Sequence, residues 1–175
     1  MRVISGEFRS RKLLSLPGLE TRPTPDRLRE TLFSVLTPVV QGSVFVDAYA
    51  GTGAVGIEAI SRGARQAVFI ESNRAAVEII RQNIAALKIE SRSRIVKAPV
   101  ATCAAELTAA DIVFADPPYT RAREYEVLFN AIRGGLKALT IVQHSVRLTL
   151  EPEYGELKLT RTIRQGDNAL SFYLA

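Results

Sequence analysis

Four consecutive residues, Asp116-Pro117-Pro118-Tyr119, combine side-chain types that suit one kind of chemistry. The Asp116 carboxylate and the Pro117 carbonyl form a pair of hydrogen-bond acceptors. The two pyrrolidine rings lock φ and hold that carbonyl in place, so little reorganisation is needed when charge develops beside it. An exocyclic amine on guanine, adenine or cytosine is a poor nucleophile, because its lone pair is delocalised into the ring. Acceptors beside its N–H groups draw the lone pair out toward an electrophilic methyl group. Tyr119 offers a face on which an extruded base can stack, worth ~1–3 kcal/mol per base. Such a transfer is a direct displacement governed by proximity and alignment. It needs no covalent enzyme intermediate, and the single cysteine, Cys103, has no evident partner for one. Read alone, the tetrapeptide is equally a proline turn closing a buried strand.

A second segment supplies the place for a ligand. Asp47-Ala48-Tyr49-Ala50-Gly51-Thr52-Gly53 sits where an apolar strand gives way to a helix. Glycines at such a turn let the backbone approach a ligand with no Cβ in the way. Gly51, Gly53 and Gly56 satisfy G-x-G-x-x-G, and Glu71 follows Gly51 by 20 residues, where an acid gripping ribose hydroxyls is expected, with Ser72 beside it. The loop by itself fits a nicotinamide dinucleotide as well as S-adenosylmethionine. Asp47 favours the second, since a carboxylate just before the glycines repels a pyrophosphate and suits a cationic amine and a sulfonium. Asp47 also has a plainer reading, as an acceptor for loop N–H groups, and both roles can hold together. The cofactor residues expected are therefore Asp47, Ala50, Gly51, Gly53, Glu71 and Ser72.

The elements that must position these loops read as an α/β chain. Short apolar strands at 44–46, 67–70, 95–96, 111–115 and 139–142 alternate with helices at 53–62, 74–87, 101–107 and 124–133. Near-continuous apolar strands separated by helices predict a mostly parallel sheet with helices on both faces. The strand at 111–115 is expected beside the one at 44–46, so that Asp116 opens at the ligand edge of the sheet. The end of the chain departs from this alternation. Strands at 156–163 and 169–174, joined through Gly166-Asp167-Asn168, read as an antiparallel hairpin. At the other end, residues 1–20 read as a basic β-hairpin arm ending near the Pro17-Gly18 turn. Residues 21–40 read as a leading helix, capped by Thr24 with Pro25 at its first position. The remainder, 41–175, forms the core of what is read as one domain.

Composition narrows the partners. At 175 residues, with 47% hydrophobic and 23% charged, the chain has the make-up of a globular domain with its own core. No apolar run approaches a bilayer span, and residues 1–8 lack a signal-peptide core, so a cytoplasmic protein is expected. One cysteine and one histidine argue against a zinc site, and no metal is expected. The net charge is +5, of which +4 falls in residues 1–29. That concentration favours a polyanionic partner, although a solvated basic arm that binds nothing has the same composition.

With these blocks in view, the sequence resembles the bacterial 16S ribosomal RNA guanine-N2 methyltransferases (RsmD-like), within the Asp/Asn-Pro-Pro-Tyr nucleobase N-methyltransferases. The resemblance runs from residues 1–13 through Arg22-Pro23-Thr24-Pro25-Asp26-Arg27-Leu28-Arg29-Glu30-Thr31-Leu32-Phe33. It continues through residues 47–59 and Ser61-Arg62-Gly63-Ala64 to Gly166-Asp167-Asn168-Ala169-Leu170-Ser171-Phe172. It implies a Rossmann-like methyltransferase fold and S-adenosylmethionine as cofactor. It implies methylation of a guanine 2-amino group in 16S rRNA, of the guanine(966)-N2 type, in an assembled or partly assembled 30S subunit, by a monomer. By position, Asp116, Pro117 and Tyr119 would hold the base, and Arg2, Arg9, Arg11, Lys12 and Arg22 would contact RNA, with Thr24 near the cofactor or target strand. Two places depart from the broader pattern. Lys97-Ala98-Pro99 has no acid for the adenine amine, and Gln143-His144-Ser145 stands where related sequences carry one. A DNA adenine or cytosine N-methyltransferase and a noncatalytic RNA-binding assembly factor are the competing readings. The first lacks a visible target-recognition domain, and the second leaves the intact Asp-Pro-Pro-Tyr loop unexplained.

Overall fold

The computed structural model describes residues 1–15, 26–118, 123–132 and 138–175. In chain order the elements are α1 (Asp26–Val40), β1 (Val44–Ala48), α2 (Ala54–Ser61), β2 (Gln66–Ile70), α3 (Arg74–Leu87), β3 (Ser93–Val96), α4 (Ala104–Thr108) and β4 (Ile112–Ala115). They continue with α5 (Arg123–Ile132), β5 (Leu139–Ser145), β6 (Glu153–Tyr154), β7 (Leu157–Gln165) and β8 (Asn168–Leu174). The strands form one sheet in the order β3-β2-β1-β4-β5-β8-β7-β6. The first five are parallel and the last three antiparallel, so the expected mixed sheet with a closing hairpin is what forms.

Alternation along the strands sends side chains to two cores. Val46, Ala48, Val68, Val113, Ala115 and Val142 face α4 and α5, where Leu107, Leu128, Phe129 and Ile132 cover them. Phe45, Phe114, Ile141 and Phe172 face the other way, against Leu28, Leu32, Phe33 and Leu36 of α1. On that same face Ala67 and Phe69 meet Ile57 and Ile60 of α2 and Ile80, Ile84 and Leu87 of α3. All eight residues of α2 are buried, as its apolar sequence requires. Gly56 is the price of that closeness: a Cβ there would stand 2.4 Å from the Phe69 ring. The third glycine of the motif thus serves helix–strand packing.

Two expectations are sharpened by the structure. The arm at residues 1–15 pairs antiparallel only briefly: one bridge joins Arg2 and Lys12, with Val3 N–H donating to the Arg11 carbonyl and Leu13 N–H to the Met1 carbonyl (both 3.0 Å). α2 side chains take other N–H groups of the arm. Ile4 and Ser5 N–H donate to the Glu58 carboxylate (2.8 and 3.0 Å), and Phe8 N–H donates to Ser61 Oγ (3.0 Å). Gly6, at φ +85°, lies so close that a Cβ would overlap the Ser61 carbonyl. Second, β5 runs on through Gln143 and His144, both buried, because β8 pairs with it as far as Ser145. His144 has a structural role there, its Nε2 2.8 Å from Ser171 Oγ and its Nδ1 2.9 Å from the Ser145 carbonyl. Pro17-Gly18, Arg22, Thr24 and Pro25 lie outside the described residues.

Candidate functional site

Register places the two loops side by side. Ala48 on β1 pairs with Ile70 on β2 and with Ala115 on β4. The next residues, Tyr49, Glu71 and Asp116, therefore leave three adjacent parallel strands at one level, with Glu71 and Asp116 about 10 Å apart at the backbone. This is the carboxyl edge of the sheet, where open α/β folds bind ligands.

The glycine loop is shaped by that edge. Tyr49, Gly51 and Gly53 all have positive φ (66°, 56° and 79°). A Cβ on Gly51 would meet nothing within 4 Å, so the loop surface above it is open. Ala50 N–H is held by the Ile70 carbonyl (3.0 Å). Glu71 spans the turn, accepting Gly51 N–H on one oxygen (2.8 Å) and Asn73 N–H on the other (2.7 Å). Asn73 in turn caps α3 through Ala75 and Ala76 N–H, leaving Ser72 exposed between them. A carboxylate oxygen with one N–H on it still has a lone pair for a hydroxyl donor.

Asp47 is 2% exposed and accepts Gly56 N–H (2.8 Å). Burial holds its carboxyl well above the usual carboxylate range. The Gly56 bond opposes this shift, while the charges of Asp116 and Glu71 add to it. The charges of Asp116 and Glu71 thus bear on Asp47 where the strands end, and among the described residues no group of His, Cys, Asp or Glu is arranged to hold a metal. A cation set against Asp47 would supply the compensation that its surroundings withhold. The open glycine loop, the acid at the end of β2 and this under-compensated carboxylate fit a nucleoside ligand bearing a positive charge.

The Asp116 loop opens directly from the end of β4. Asp116 is half-buried, Pro117 buried and Pro118 exposed; Tyr119 lies outside the described residues. On the far side of that loop α5 is tied back to the glycine loop, because the Tyr49 hydroxyl donates to Glu124 Oε2 (2.9 Å). Lys97, Ala98 and Pro99 follow β3 at the same edge, with Ala98 N–H taken by the Val96 carbonyl (3.1 Å).

The arm docks beside this site. Val3 and Leu13 are buried in the core under α2 and α3, and Arg2, Arg9, Arg11 and Lys12 point to solvent. Glu58, fully buried, also accepts Arg62 Nε (2.7 Å). Arg29 of α1, likewise fully buried, donates to the Arg2 carbonyl (2.6 Å) and pairs with Asp26 (3.0 Å). Asn83 of α3 binds both the N–H and the carbonyl of Leu14 (2.7 and 3.2 Å). Sequence reading passed over Glu58, Ser61, Asn83, Arg29 and Tyr49. A signal existed for two of them. Glu58 is the one charged residue in a helix with no polar face, and Asn83 falls on the apolar stripe of Ile80 and Leu87.

A doubly covered sheet of this order, with an Asp-Pro-Pro loop beside a glycine loop, is the Rossmann-like methyltransferase fold. The family described as Conserved hypothetical protein 95 matches residues 1–174, and the chain belongs to this family, the RsmD family. The chain is 42% identical to the ribosomal RNA small subunit methyltransferase D of Escherichia coli K12 over 123 residues, 69% of this chain and 61% of that protein. The Haemophilus influenzae protein of the same name is 35% identical over 128 residues, covering 68% of this chain and 64% of its own length. Both matches thus span less than two thirds of those relatives. Among solved structures, the Escherichia coli yhhF protein is 37% identical, with a TM-score of 0.86 over 99% of this chain and 97% of that one. An RNA methyltransferase of Salinibacter ruber, solved with S-adenosyl-L-homocysteine, shares the fold at 15% identity and a TM-score of 0.67, over 87% and 93%.

Proposed function

We propose that this protein uses S-adenosylmethionine to methylate the exocyclic 2-amino group of a guanine in 16S rRNA of the small subunit, at the position of the guanine(966)-N2 type. The observation that carries the reading is the convergence of Asp47, Glu71 and Asp116 at the ends of three neighbouring parallel strands, with Asp116 opening the Asp-Pro-Pro loop. The names of the relatives support rRNA as the substrate.

When bound, the cofactor supplies a methyl group on a sulfonium. Asp47 receives the cationic amine, Glu71 the ribose hydroxyls, and Ala50, Gly51, Gly53 and Ser72 bring their backbone against the nucleoside. Asp116 and the Pro117 carbonyl accept the two N–H groups of the guanine amine. They turn its lone pair toward the methyl group and stabilise the positive charge that develops on nitrogen. One amine proton leaves after transfer, with Asp116 its nearest acceptor. Tyr119 stacks on the extruded base. Arg2, Arg9, Arg11, Lys12 and Arg22 hold RNA phosphates. The 30S particle, whole or partly assembled, is the proposed form of the substrate, and a monomer the proposed form of the enzyme.

Transfer of labelled methyl groups tests this. Small subunits, free 16S rRNA and duplex DNA from methylation-deficient cells are incubated with the protein, and the product nucleosides are separated. N2-methylguanine in rRNA is expected. Label in adenine or cytosine of DNA refutes the RNA assignment, and cofactor binding with no transfer to any substrate refutes the catalytic one.

A further inference from the structure

We propose that Asn83 is a positioning residue that couples cofactor occupancy to RNA binding, by tying the basic arm to the glycine loop. The inference rests on the function proposed above and deepens it. Asn83 stands in the middle of α3, 1% exposed, and its side chain is fully engaged. Its Oδ1 accepts Leu14 N–H (2.7 Å), and its Nδ2 donates to the Leu14 carbonyl (3.2 Å). Together these two bonds give Leu14 what a neighbouring strand would give it. The second hydrogen of the same Nδ2 goes to the Thr52 carbonyl (3.1 Å), between the two positive-φ glycines of the loop.

One planar amide therefore holds the arm with one edge and the ligand loop with the other. Because the amide is rigid, Leu14 and Thr52 cannot shift independently without leaving the buried Asn83 side chain short of a partner, which is costly. A second contact closes the circuit. The Thr52 hydroxyl lies 3.9 Å from Met1 Sδ, and Leu13 N–H donates to the Met1 carbonyl (3.0 Å). Both ends of the arm thus meet at Thr52, and the bridge between Arg2 and Lys12 starts one residue inside each. A ligand that fixes Thr52 fixes the paired ends of the arm that carry Arg2 and Lys12, and RNA seated there fixes the loop in return.

Coupling of this kind is reciprocal: the factor by which one ligand tightens the other is the same in both directions. The experiment measures the dissociation constant of deproteinised 16S rRNA with and without saturating S-adenosyl-L-homocysteine, and that of S-adenosyl-L-homocysteine with and without the RNA. In the unaltered protein each tightens the other by at least about fivefold, with equal factors. In Asn83→Leu the factor falls to about one, while S-adenosyl-L-homocysteine alone binds near its original affinity. Leu14→Pro, which deletes the N–H that Asn83 accepts, has the same effect and decides the matter if Asn83→Leu does not fold. Ser171→Ala, which loses a buried hydrogen bond to His144 elsewhere in the sheet, keeps the full factor.

A factor unchanged in the folded Asn83 and Leu14 variants overturns the proposal, and so does an equal loss in Ser171→Ala. A factor of one in the unaltered protein, with both ligands bound, overturns the coupling and leaves the methyltransferase reading intact. Failure to bind S-adenosyl-L-homocysteine overturns both, and failure to bind the free RNA overturns the coupling alone.

Discussion

Replacing Glu58 with Gln tests how the arm is held. Glu58 is fully buried, and its two oxygens take three donors: Ile4 N–H, Ser5 N–H and Arg62 Nε. Glutamine keeps the shape but turns one acceptor into a donor. Whichever way the amide settles, an N–H faces an N–H, and one buried group loses its partner at about 1–3 kcal/mol. The Arg62 guanidinium also loses its countercharge, though at the partly exposed rim solvent takes up much of that loss. The sum is about 2–4 kcal/mol, a large share of the ~5–15 kcal/mol that a domain has in all. Glu58→Leu removes all three acceptors and is expected to approach the ~3–5 kcal/mol of a broken buried ion pair. Urea unfolding measures the loss as a lower midpoint at constant slope. Hydrogen exchange at the Ile4 and Ser5 amides then shows whether the arm loosens before the sheet does. The competing account is that Val3 and Leu13, each worth ~1.5–3 kcal/mol when buried, dock the arm unaided. Under that account Glu58→Gln shifts stability by less than ~0.5 kcal/mol, a surface-like change, and leaves both amides protected. That result would refute the reasoning.

Other outcomes are equally definite. Asp116→Ala is expected to lower turnover by about 100-fold or more, with little change in cofactor affinity measured by titration; equal losses in both contradict its place at the base. Asp47→Asn keeps an acceptor for Gly56 and removes a poorly compensated buried charge, so it raises the stability of the unliganded protein by on the order of 1 kcal/mol and abolishes tight cofactor binding. Because the carboxyl of Asp47 titrates above its usual range, a cationic ligand must displace its proton at low pH. Affinity is full above the free-protein pKa and weakens as pH falls through it, with proton release visible by calorimetry in buffers of different ionisation enthalpy. Arg11→Ala and Lys12→Ala are each expected to weaken RNA binding uniformly across sequences and to reduce its salt slope by about one.

The strands and most helices were legible because apolar periodicity is a local property. That the glycine loop, Glu71 and the Asp116 loop follow three neighbouring strands was legible, because glycines and prolines mark where strands end. What stayed hidden depends on partners far along the chain. Glu58 bonds backbone N–H groups more than 50 residues away, and Asn83 reaches Leu14 across 69. Any residue but proline can offer such N–H groups, so the partner leaves no mark in the sequence. The length of β5 was hidden for a related reason. Gln143 and His144 look like a polar strand end, and only pairing with β8, with Ser171 placed against the imidazole, lets them continue the strand in a buried place. Even Tyr49 reads as an ordinary aromatic, although it holds φ +66° and reaches Glu124 beyond the Asp116 loop.

The distribution of charge constrains how RNA enters. Asp47, Glu71 and Asp116 make the sheet edge strongly acidic, and a phosphate brought there meets repulsion in a poorly solvated place. On the function proposed above, a guanine base is neutral and presents N–H donors, so the same edge would attract its amine while rejecting the backbone that carries it. The target nucleotide must then be swung out, with its phosphates left where positive charge lies. The four basic residues of the arm are exposed, and the arm meets the glycine loop at its two ends, through Met1 and through Leu14 on Asn83. On that reading affinity and chemistry occupy separate surfaces, and the joints between them become the places where one can inform the other. Neutralising the arm should weaken every RNA alike, whereas neutralising Asp116 should spare binding and stop transfer. A variant pair with the opposite pattern, in which loss of Lys12 changes base choice or loss of Asp116 releases the RNA, would show that the two surfaces are one.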